Sequence, residues 1–279
     1  MAHELIRQPG ATVPLRLNSP IDEAALARAR VDLAACLRMA ARLGLAEGIC
    51  NHFSALVPGR DDLFLVNPYG LAFAEVTASS LLVCDFDGNV IRGEGTPEAT
   101  AFYIHARLHL NKPGAAAAFH THMPNATALT MIEGGASAHD PLAHDPLAHD
   151  PLAYAGQSAL KFLGRVAVDP VYNGLALDAD EGDRIAAAMG DADILFMRNH
   201  GVMVTGPGIA EAWDDLYYLE RAAEVQIRAL STGRPLLPVP EAVARATARQ
   251  MRDGDAESAR LHLESVKRIL ARSEPDFAS

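Results

Sequence analysis

Cysteine, aromatic residues and basic residues are all scarce in this sequence. Its 279 residues include three cysteines, 6% aromatic residues, and 24 lysines and arginines against 35 aspartates and glutamates. The odd set of Cys36, Cys50 and Cys84 forms no disulfide framework and is typical of a reducing compartment. A net charge of −11 disfavours nonspecific nucleic-acid binding, which needs clustered lysine and arginine.

Long apolar runs are missing as well. No stretch of the sequence approaches the roughly 20 apolar residues of a membrane span. The first residues also lack a basic segment followed by an apolar one, which is the pattern of a signal peptide. We therefore expect a cytoplasmic protein. With 49% hydrophobic residues, the chain can nevertheless bury a substantial core.

Apolar periodicity divides the chain into helices and short strands. It predicts helical segments over 21–45, 98–110, 124–132, 178–189, 209–230 and 240–271, the last as one or two helices. Short apolar runs separated by turn residues, such as 53–57 and 63–67, predict hairpins. Helices before, between and after such strands predict a layered α/β fold with a mostly antiparallel sheet.

Composition distinguishes three parts of the chain. Residues 1–20 contain prolines and little periodicity, which predicts an N-terminal arm. We expect residues 21–235 to form the main domain and residues 236–279 to form a C-terminal helical extension.

One segment of the main domain is repetitive. Residues 139–153 are three perfect copies of His-Asp-Pro-Leu-Ala. A proline in every copy forbids a regular helix, so we expect 138–153 to be an inserted surface loop without a catalytic role. The alternative is metal binding by its histidines, His139, His144 and His149.

Two histidines end a predicted strand. The apolar run from Gly114 to His122 predicts a buried strand, on which residues i and i+2 point to the same side. His120 and His122 would therefore converge on one point. Burying two imidazoles is costly unless they bind something, although a pair of hydrogen-bonded structural histidines is the alternative.

A third histidine interrupts the apolar run 194–205. There, Asn199-His200-Gly201 predicts a polar turn, in which Gly201 would allow a tight backbone bend. Three histidines are the usual composition of a catalytic metal site with an open position. Imidazole suits Zn²⁺, Mn²⁺, Fe²⁺ and Co²⁺, and we expect one such ion per chain, Zn²⁺ foremost.

Further polar residues are candidates for catalysis. Glu98 could act as a general acid or base or as a fourth ligand, but a carboxylate at a helix N-terminus is favourable without any such role. His52 could lie in the pocket. For His105 and His109, four residues apart on a predicted helix, packing is favoured over metal binding. The candidate proton donors are Tyr69, Tyr103, Tyr154 and Tyr172, of which we carry Tyr154 forward.

A set of motifs resembles the class II aldolase/adducin head family. In chain order they are Gly48…Asn51-His52, Asn67-Pro68-Tyr69-Gly70, Val76-Thr77-Ala78-Ser79-Ser80-Leu81, His120-Thr121-His122 and Asn199-His200-Gly201. The resemblance covers roughly 25–230. It implies a three-layer α/β/α domain, commonly a fourfold-symmetric homotetramer with active sites at subunit interfaces.

The same resemblance assigns roles to residues. It implies that His120, His122 and His200 hold Zn²⁺ or another divalent ion. The candidates for binding a small-molecule substrate are Asn51, Asn67 and Gly70, which lie in the matching segments, and Thr100.

The sequence departs from the sugar-phosphate aldolases that it resembles. Those enzymes have a Ser-Ser-Glu stretch before a helical histidine, where this chain has Ala99-Thr100-Ala101 before His105. Ala101 thus takes the place of the catalytic carboxylate, for which Glu98, one turn earlier, could substitute. Their Gly-Asn-x-Ser loop is replaced by Cys50-Asn51-His52-Phe53-Ser54. Metal-dependent decarboxylases of hydroxylated aromatic or heteroaromatic acids belong to the same family and need no phosphate pocket.

These observations favour a metal-dependent carbon–carbon lyase. The first hypothesis is decarboxylation of a small hydroxy- or oxo-carboxylic acid. Bond cleavage leaves an enolate, whose charge a divalent ion stabilises and which a nearby donor protonates. The alternatives are an aldolase that cleaves a sugar phosphate or related hydroxy-carbonyl compound, and a noncatalytic adducin-like scaffold, which predicts no bound metal.

Overall fold

The computed structural model describes residues 20–132 and 150–279, and a single eight-stranded sheet lies at the centre of this part. The strands are β1 (His52–Leu56), β2 (Leu63–Val66), β3 (Leu82–Asp85), β4 (Val90–Arg92), β5 (Ala117–Thr121), β6 (Val166–Asp169), β7 (Ile194–Met197) and β8 (Gly201–Gly206). Their order is β4-β3-β2-β1-β5-β8-β7-β6. Every pair is antiparallel except β6 with β7.

Helices cover both faces of this sheet. They are α1 (Glu23–Arg42), α2 (Ala99–Asn111), α3 (Pro124–Thr130), α4 (Gln157–Leu160), α5 (Ala179–Met189), α6 (Ile209–Leu230) and α7 (Glu241–Ser273). Helices α2 and α5 pack together on one face, while α1, α6 and α7 belong to the layer on the other. The predicted three-layer α/β/α fold with a mostly antiparallel sheet is therefore confirmed.

Alternation along β1 and β5 decides which side chains face which layer. Phe53 and Phe119 stack at 4.0 Å between ring centroids in the larger core cluster, on the α1 and α6 side. Their neighbours in sequence point the other way. His52, Ser54 and His120 thus lie on the α2 side of the sheet, and His52 is paired with His120 across the two strands.

The sequence-based boundaries agree with the structure to within a few residues. The segment 240–271, predicted as one or two helices, is the single helix α7, and β6 pairs with β7 in parallel within a sheet that is otherwise antiparallel. The arm 1–19 and the repeat histidines His139, His144 and His149 lie outside the described residues. Within the described ranges, no helix is both long and apolar enough to cross a membrane.

A buried ionic cluster joins α7 to the rest of the domain. The Lys161 ammonium lies 3.0 Å from Asp214 and 3.1 Å from Asp215 of α6, and it also contacts Asp255 of α7. Asp214 in turn accepts a hydrogen bond from His262 of α7 at 2.7 Å. Burial alone would lower the pKa of Lys161, but the surrounding carboxylates raise it.

Candidate metal centre

His120, His122 and His200 come together at one edge of the sheet. His120 lies near the end of β5, His122 follows that strand, and His200 directly precedes β8, which pairs with β5. One ring nitrogen of each lies within 4.8 Å of those of the other two. The Nε2 atoms of His120 and His122 are 3.2 Å apart. This is close to the roughly 3.3 Å between ligand atoms of a tetrahedral zinc site with Zn–N near 2.0 Å.

In His120 and His122, hydrogen bonds engage the Nδ1 atoms and leave the Nε2 atoms, which face each other, free to bind a metal ion. His120 Nδ1 donates to the Val202 carbonyl at 2.9 Å, and His122 Nδ1 donates to the Glu47 carboxylate at 2.6 Å. A carbonyl and a carboxylate only accept, so each ring carries a proton on Nδ1, and its neutral form has a bare Nε2. A carboxylate behind a histidine is also the usual way to orient a metal ligand. The donor set therefore fits a divalent cation.

Burial keeps the imidazoles of His120 and His200 neutral. It lowers the pKa of His200 to about 4, assisted by His122. Burial likewise holds the pKa of His120 well below its ordinary value, assisted by His200 and His52. Metal binding requires neutral imidazole, so no proton has to be removed from these two rings near neutral pH.

Two residues shape the turn that carries His200. Asn199 has φ 56, in the left-handed region that asparagine tolerates better than most residues. At Gly201 an added Cβ would lie 2.7 Å from both His122 Cδ2 and the Thr121 carbonyl oxygen. The bend is thus made at Asn199, and the bend expected at Gly201 is wrong: glycine is needed there for close approach.

Glu98 and Thr100 interact with each other at the N-terminus of α2. The Glu98 carboxylate accepts the Ala101 N–H at 2.9 Å and contacts the Thr100 hydroxyl. In the described residues neither side chain has a hydrogen bond to the three histidines. The structure therefore places Glu98 as a helix cap, and a catalytic role for it remains a prediction.

Asn67 and Gly70 have structural roles in the local backbone. The Asn67 side chain accepts the Phe53 N–H at 3.0 Å and donates to the Asn51 carbonyl at 3.2 Å, and it is buried. Its amide thus holds the start of β1 in place through one accepted and one donated hydrogen bond. Gly70 has φ 92, which its turn requires.

Asn51 differs from Asn67 because half of its amide is unused. Its Oδ1 accepts the Glu47 N–H at 2.7 Å and, more weakly, the His122 N–H at 3.5 Å. Its Nδ2 is buried and has no hydrogen-bond partner among the described residues. A buried donor without a partner is costly, so Asn51 stays a candidate for binding a substrate oxygen.

The candidate tyrosine lies apart from the three histidines. The Tyr154 hydroxyl donates to Asp150, and its ring packs in the cluster between α4 and α7. Burial raises the pKa of Asp150 to about 6. Tyr172, which the sequence did not select, is half exposed and lies 6.2 Å from His200 between ring centroids.

His52 lies against the centre, and a chain of polar side chains continues behind it. The His52 ring stacks on His120 at 4.9 Å, and its Nδ1 lies 2.9 Å from His105 Nε2. Beyond His105, the Ser54 hydroxyl links to His109. The sequence analysis favoured packing for His105 and His109 and overlooked Ser54. The available signal was the i, i+2 pair of His52 and Ser54 on β1 opposite an i, i+4 histidine pair on α2.

Fold and site together define a known class of protein. The chain belongs to the class II aldolase and adducin N-terminal domain family, whose model matches residues 31–227. One relative, a Caulobacter vibrioides protein assigned by name to the class 2 aldolases, is 36% identical over 273 residues, covering 96% of this chain and 98% of that protein.

Other relatives show how varied the family is. The decarboxylase NovR of Streptomyces niveus is 29% identical over 221 residues, covering 76% of this chain and 75% of NovR. Alpha-adducin of Rattus norvegicus is 31% identical over 212 residues, which are 74% of this chain but 26% of adducin.

Solved structures agree with the fold. An aldolase II superfamily protein from Pseudomonas syringae matches with a TM-score of 0.81 and 32% identity, covering 94% of this chain and 98% of that one. An L-fuculose 1-phosphate aldolase from Glaciozyma antarctica matches with a TM-score of 0.74, 24% identity and coverage of 95% and 96%. At that identity the second likeness concerns the fold alone.

Proposed function

We propose that this protein is a metal-dependent carbon–carbon lyase that decarboxylates a small hydroxy- or oxo-carboxylic acid. The observation that carries the proposal is the convergence of His120, His122 and His200, whose ring nitrogens lie within 4.8 Å of one another. A divalent ion held there, Zn²⁺ foremost, would act as a Lewis acid toward negative charge on a substrate oxygen. The similarity to a decarboxylase, NovR, supports this choice of reaction.

The chain's own residues supply the rest of the binding site. The Asn51 Nδ2 donor would pair with a substrate oxygen, and the His52 ring, stacked on His120, would lie beside the bound substrate. Tyr172 is the exposed hydroxyl beside His200 and is the better candidate for delivering a proton than Tyr154, which is bonded to Asp150. Each of these groups can act without a phosphate pocket.

Aldol cleavage of a sugar phosphate is the second candidate, and the similarity to the Caulobacter vibrioides protein assigned by name to the class 2 aldolases favours it. The α2 helix weighs against it. Ala101 stands where the sugar-phosphate aldolases carry their carboxylate, and Glu98 is engaged in capping the helix. An adducin-like scaffold is the third, but it gives no reason for three histidines with converging nitrogens.

We also propose that the protein is a cytoplasmic homotetramer whose active sites lie at subunit interfaces. All three cysteines are free, which suits a reducing compartment. Beside His200, the loop before α5 exposes a group of large apolar side chains: Val171, Tyr172, Leu175 and Leu177. Such a patch is typical of a surface that another chain covers.

Metal content of the purified protein tests the proposal. We expect about one divalent ion per chain in the wild type and in a control with His139, His144 and His149 all changed to alanine. His120→Ala and His200→Ala should lose it, because each removes a ligand. Loss of the ion in the control alone would show that the repeat binds the metal and that His120, His122 and His200 do not.

The reaction is tested on the metal-loaded protein. We expect CO₂ release from members of a panel of hydroxylated aliphatic and aromatic acids, and none from sugar phosphates. Cleavage of a sugar phosphate without CO₂ release from any acid would favour the aldolase. A wild type that binds no metal even after reconstitution would favour the scaffold.

A further inference from the structure

A hydrogen-bond chain runs from the metal centre into the layer between β1 and α2. His52 Nδ1 lies 2.9 Å from His105 Nε2, and His105 Nδ1 lies 2.5 Å from the Ser54 hydroxyl. Ser54 is 2.8 Å from His109 Nε2, and His109 Nδ1 is 2.7 Å from the Ala115 carbonyl oxygen. All four side chains are buried, with exposures between 0% and 5%.

The last acceptor fixes the direction of every bond in this chain. The Ala115 carbonyl only accepts, so His109 carries its proton on Nδ1 and its Nε2 must accept from Ser54. Ser54 has one proton, which it gives to His109 Nε2 at 2.8 Å in preference to the Ala118 carbonyl oxygen at 3.5 Å, so it accepts from His105 Nδ1–H. His105 Nε2 is then bare and accepts from His52 Nδ1–H. The proton of His52 is thereby placed on Nδ1, and its Nε2 is bare.

This assignment holds while the imidazoles stay neutral. Burial lowers the pKa of His109 to about 4 and holds that of His105 well below its ordinary value. Neither ring gains a second proton near neutral pH. A buried polar chain in which every member is satisfied is rigid, because reversing one bond would leave a donor facing a donor elsewhere in the chain.

We propose that this hydrogen-bond chain makes His52 Nε2 a fixed hydrogen-bond acceptor for a hydroxyl group of the substrate. The substrate is the one bound at the centre formed by His120, His122 and His200. The inference rests on the proposed function and narrows it. The His52 ring stacks on His120, and its Nε2 has no hydrogen-bond partner among the described residues. The partly used amide of Asn51, the preceding residue, supplies a donor.

The consequence is a preference for hydroxy acids over oxo acids. A hydroxyl donates to a bare Nε2, whereas a carbonyl oxygen would meet its lone pair without a proton between them. Sites built to bind a hydroxyl reject analogues that lack it because the buried partner is left unpaired. His52 is thus a specificity-determining residue, and His105, Ser54 and His109 are positioning residues that act through it.

The proton positions are measurable without substrate or metal. ¹⁵N NMR of the full chain labelled at histidine distinguishes protonated from bare ring nitrogens, with His52→Gln to assign the His52 signals. We expect His52 to carry its proton on Nδ1 in the wild type and in Ser54→Thr, which keeps the hydroxyl. Ser54→Ala should release His105 and allow His52 to carry the proton on Nε2. A wild-type His52 protonated on Nε2 overturns the proposal.

Binding tests the specificity that follows. Lactate and pyruvate, which differ in a hydroxyl against a carbonyl, are titrated into Zn²⁺-loaded protein. We expect the wild type and Ser54→Thr to favour lactate, and Ser54→Ala to lower the ratio of affinities by about tenfold, the size of one hydrogen bond. An unchanged ratio in Ser54→Ala, or no binding of either acid by loaded wild type, overturns it. A wild type that takes up no Zn²⁺ rejects the proposed function instead, while the NMR result stands.

Discussion

At the scale of single residues, the centre depends on a missing side chain. Gly201, the first residue of β8, packs so closely against the end of β5 and the following His122 that a Cβ would meet both the His122 side chain and the Thr121 backbone at 2.7 Å. The neighbouring atoms include main chain, which cannot rotate away. The geometry of His122 is therefore tied to the absence of one methyl group.

We expect Gly201→Ala to weaken metal binding and to lower the free energy of unfolding by about 1 to 3 kcal/mol, as overpacking does. Gly114→Ala is the matched control, since nothing lies within 4 Å of a Cβ at that position. Metal titration and urea unfolding of both variants provide the test. Equal losses in the two variants would show that close approach at Gly201 is not what matters.

How well the sequence predicts a site residue depends on how local its environment is. Alternation along one strand is enough to bring His120 and His122 together. The structural role of Asn67 is harder to predict from the sequence, because its amide faces the backbone of β1 only once β1 and β2 have paired. The choice between Tyr154 and Tyr172 likewise depends on contacts between elements distant in sequence, and no local pattern reports them.

At the scale of elements, the ionic cluster around Lys161 fastens α4 and α7 to α6. We expect Lys161→Met to cost about 3 kcal/mol in unfolding free energy, because the buried carboxylates of Asp214 and Asp215 would each lose a cationic partner and keep only His262 and Arg165, respectively. Lys267→Met removes a more exposed lysine that pairs with Asp32, and about 1 kcal/mol or less is expected. Urea unfolding compares them. Similar losses would mean that the cluster contributes no more than a surface pair.

The sequence predicted which segments form helices, but it did not predict which helices pack against each other. The helix predicted from the apolar spacing of 209–230 has the same first and last residues as α6, because an amphipathic pattern depends only on the sequence of the helix. Nothing in 240–271 indicates that one long helix, α7, packs on α1 and α6. The parallel pairing of β6 was also missed, since strand direction depends on the connection rather than on the strand. The separate status of 236–279 stays a prediction.

At the scale of the whole molecule, the proposed tetramer should depend on the apolar loop beside His200. Leu175 and Leu177 are 69% and 57% exposed. Changing both to glutamate should dissociate the assembly, because unpaired charges at an apolar interface are strongly disfavoured. Leu237→Glu is the control, at a leucine that is 87% exposed and lies in the segment between α6 and α7. Molar mass by light scattering gives the answer, and a double variant of unchanged mass would place the interface elsewhere.

The pairing of β5 with β8 also determines when the centre can exist. His120 and Val202 are joined by a hydrogen bond although they lie 82 positions apart in the chain. The three nitrogens can meet only after that long loop has closed, which we expect late in the assembly of the sheet because non-local contacts form slowly. A cation that needs all three would thus leave the folding rate unchanged and lengthen the lifetime of the finished protein. The time at which the ion is taken up during refolding would then report when β5 and β8 pair.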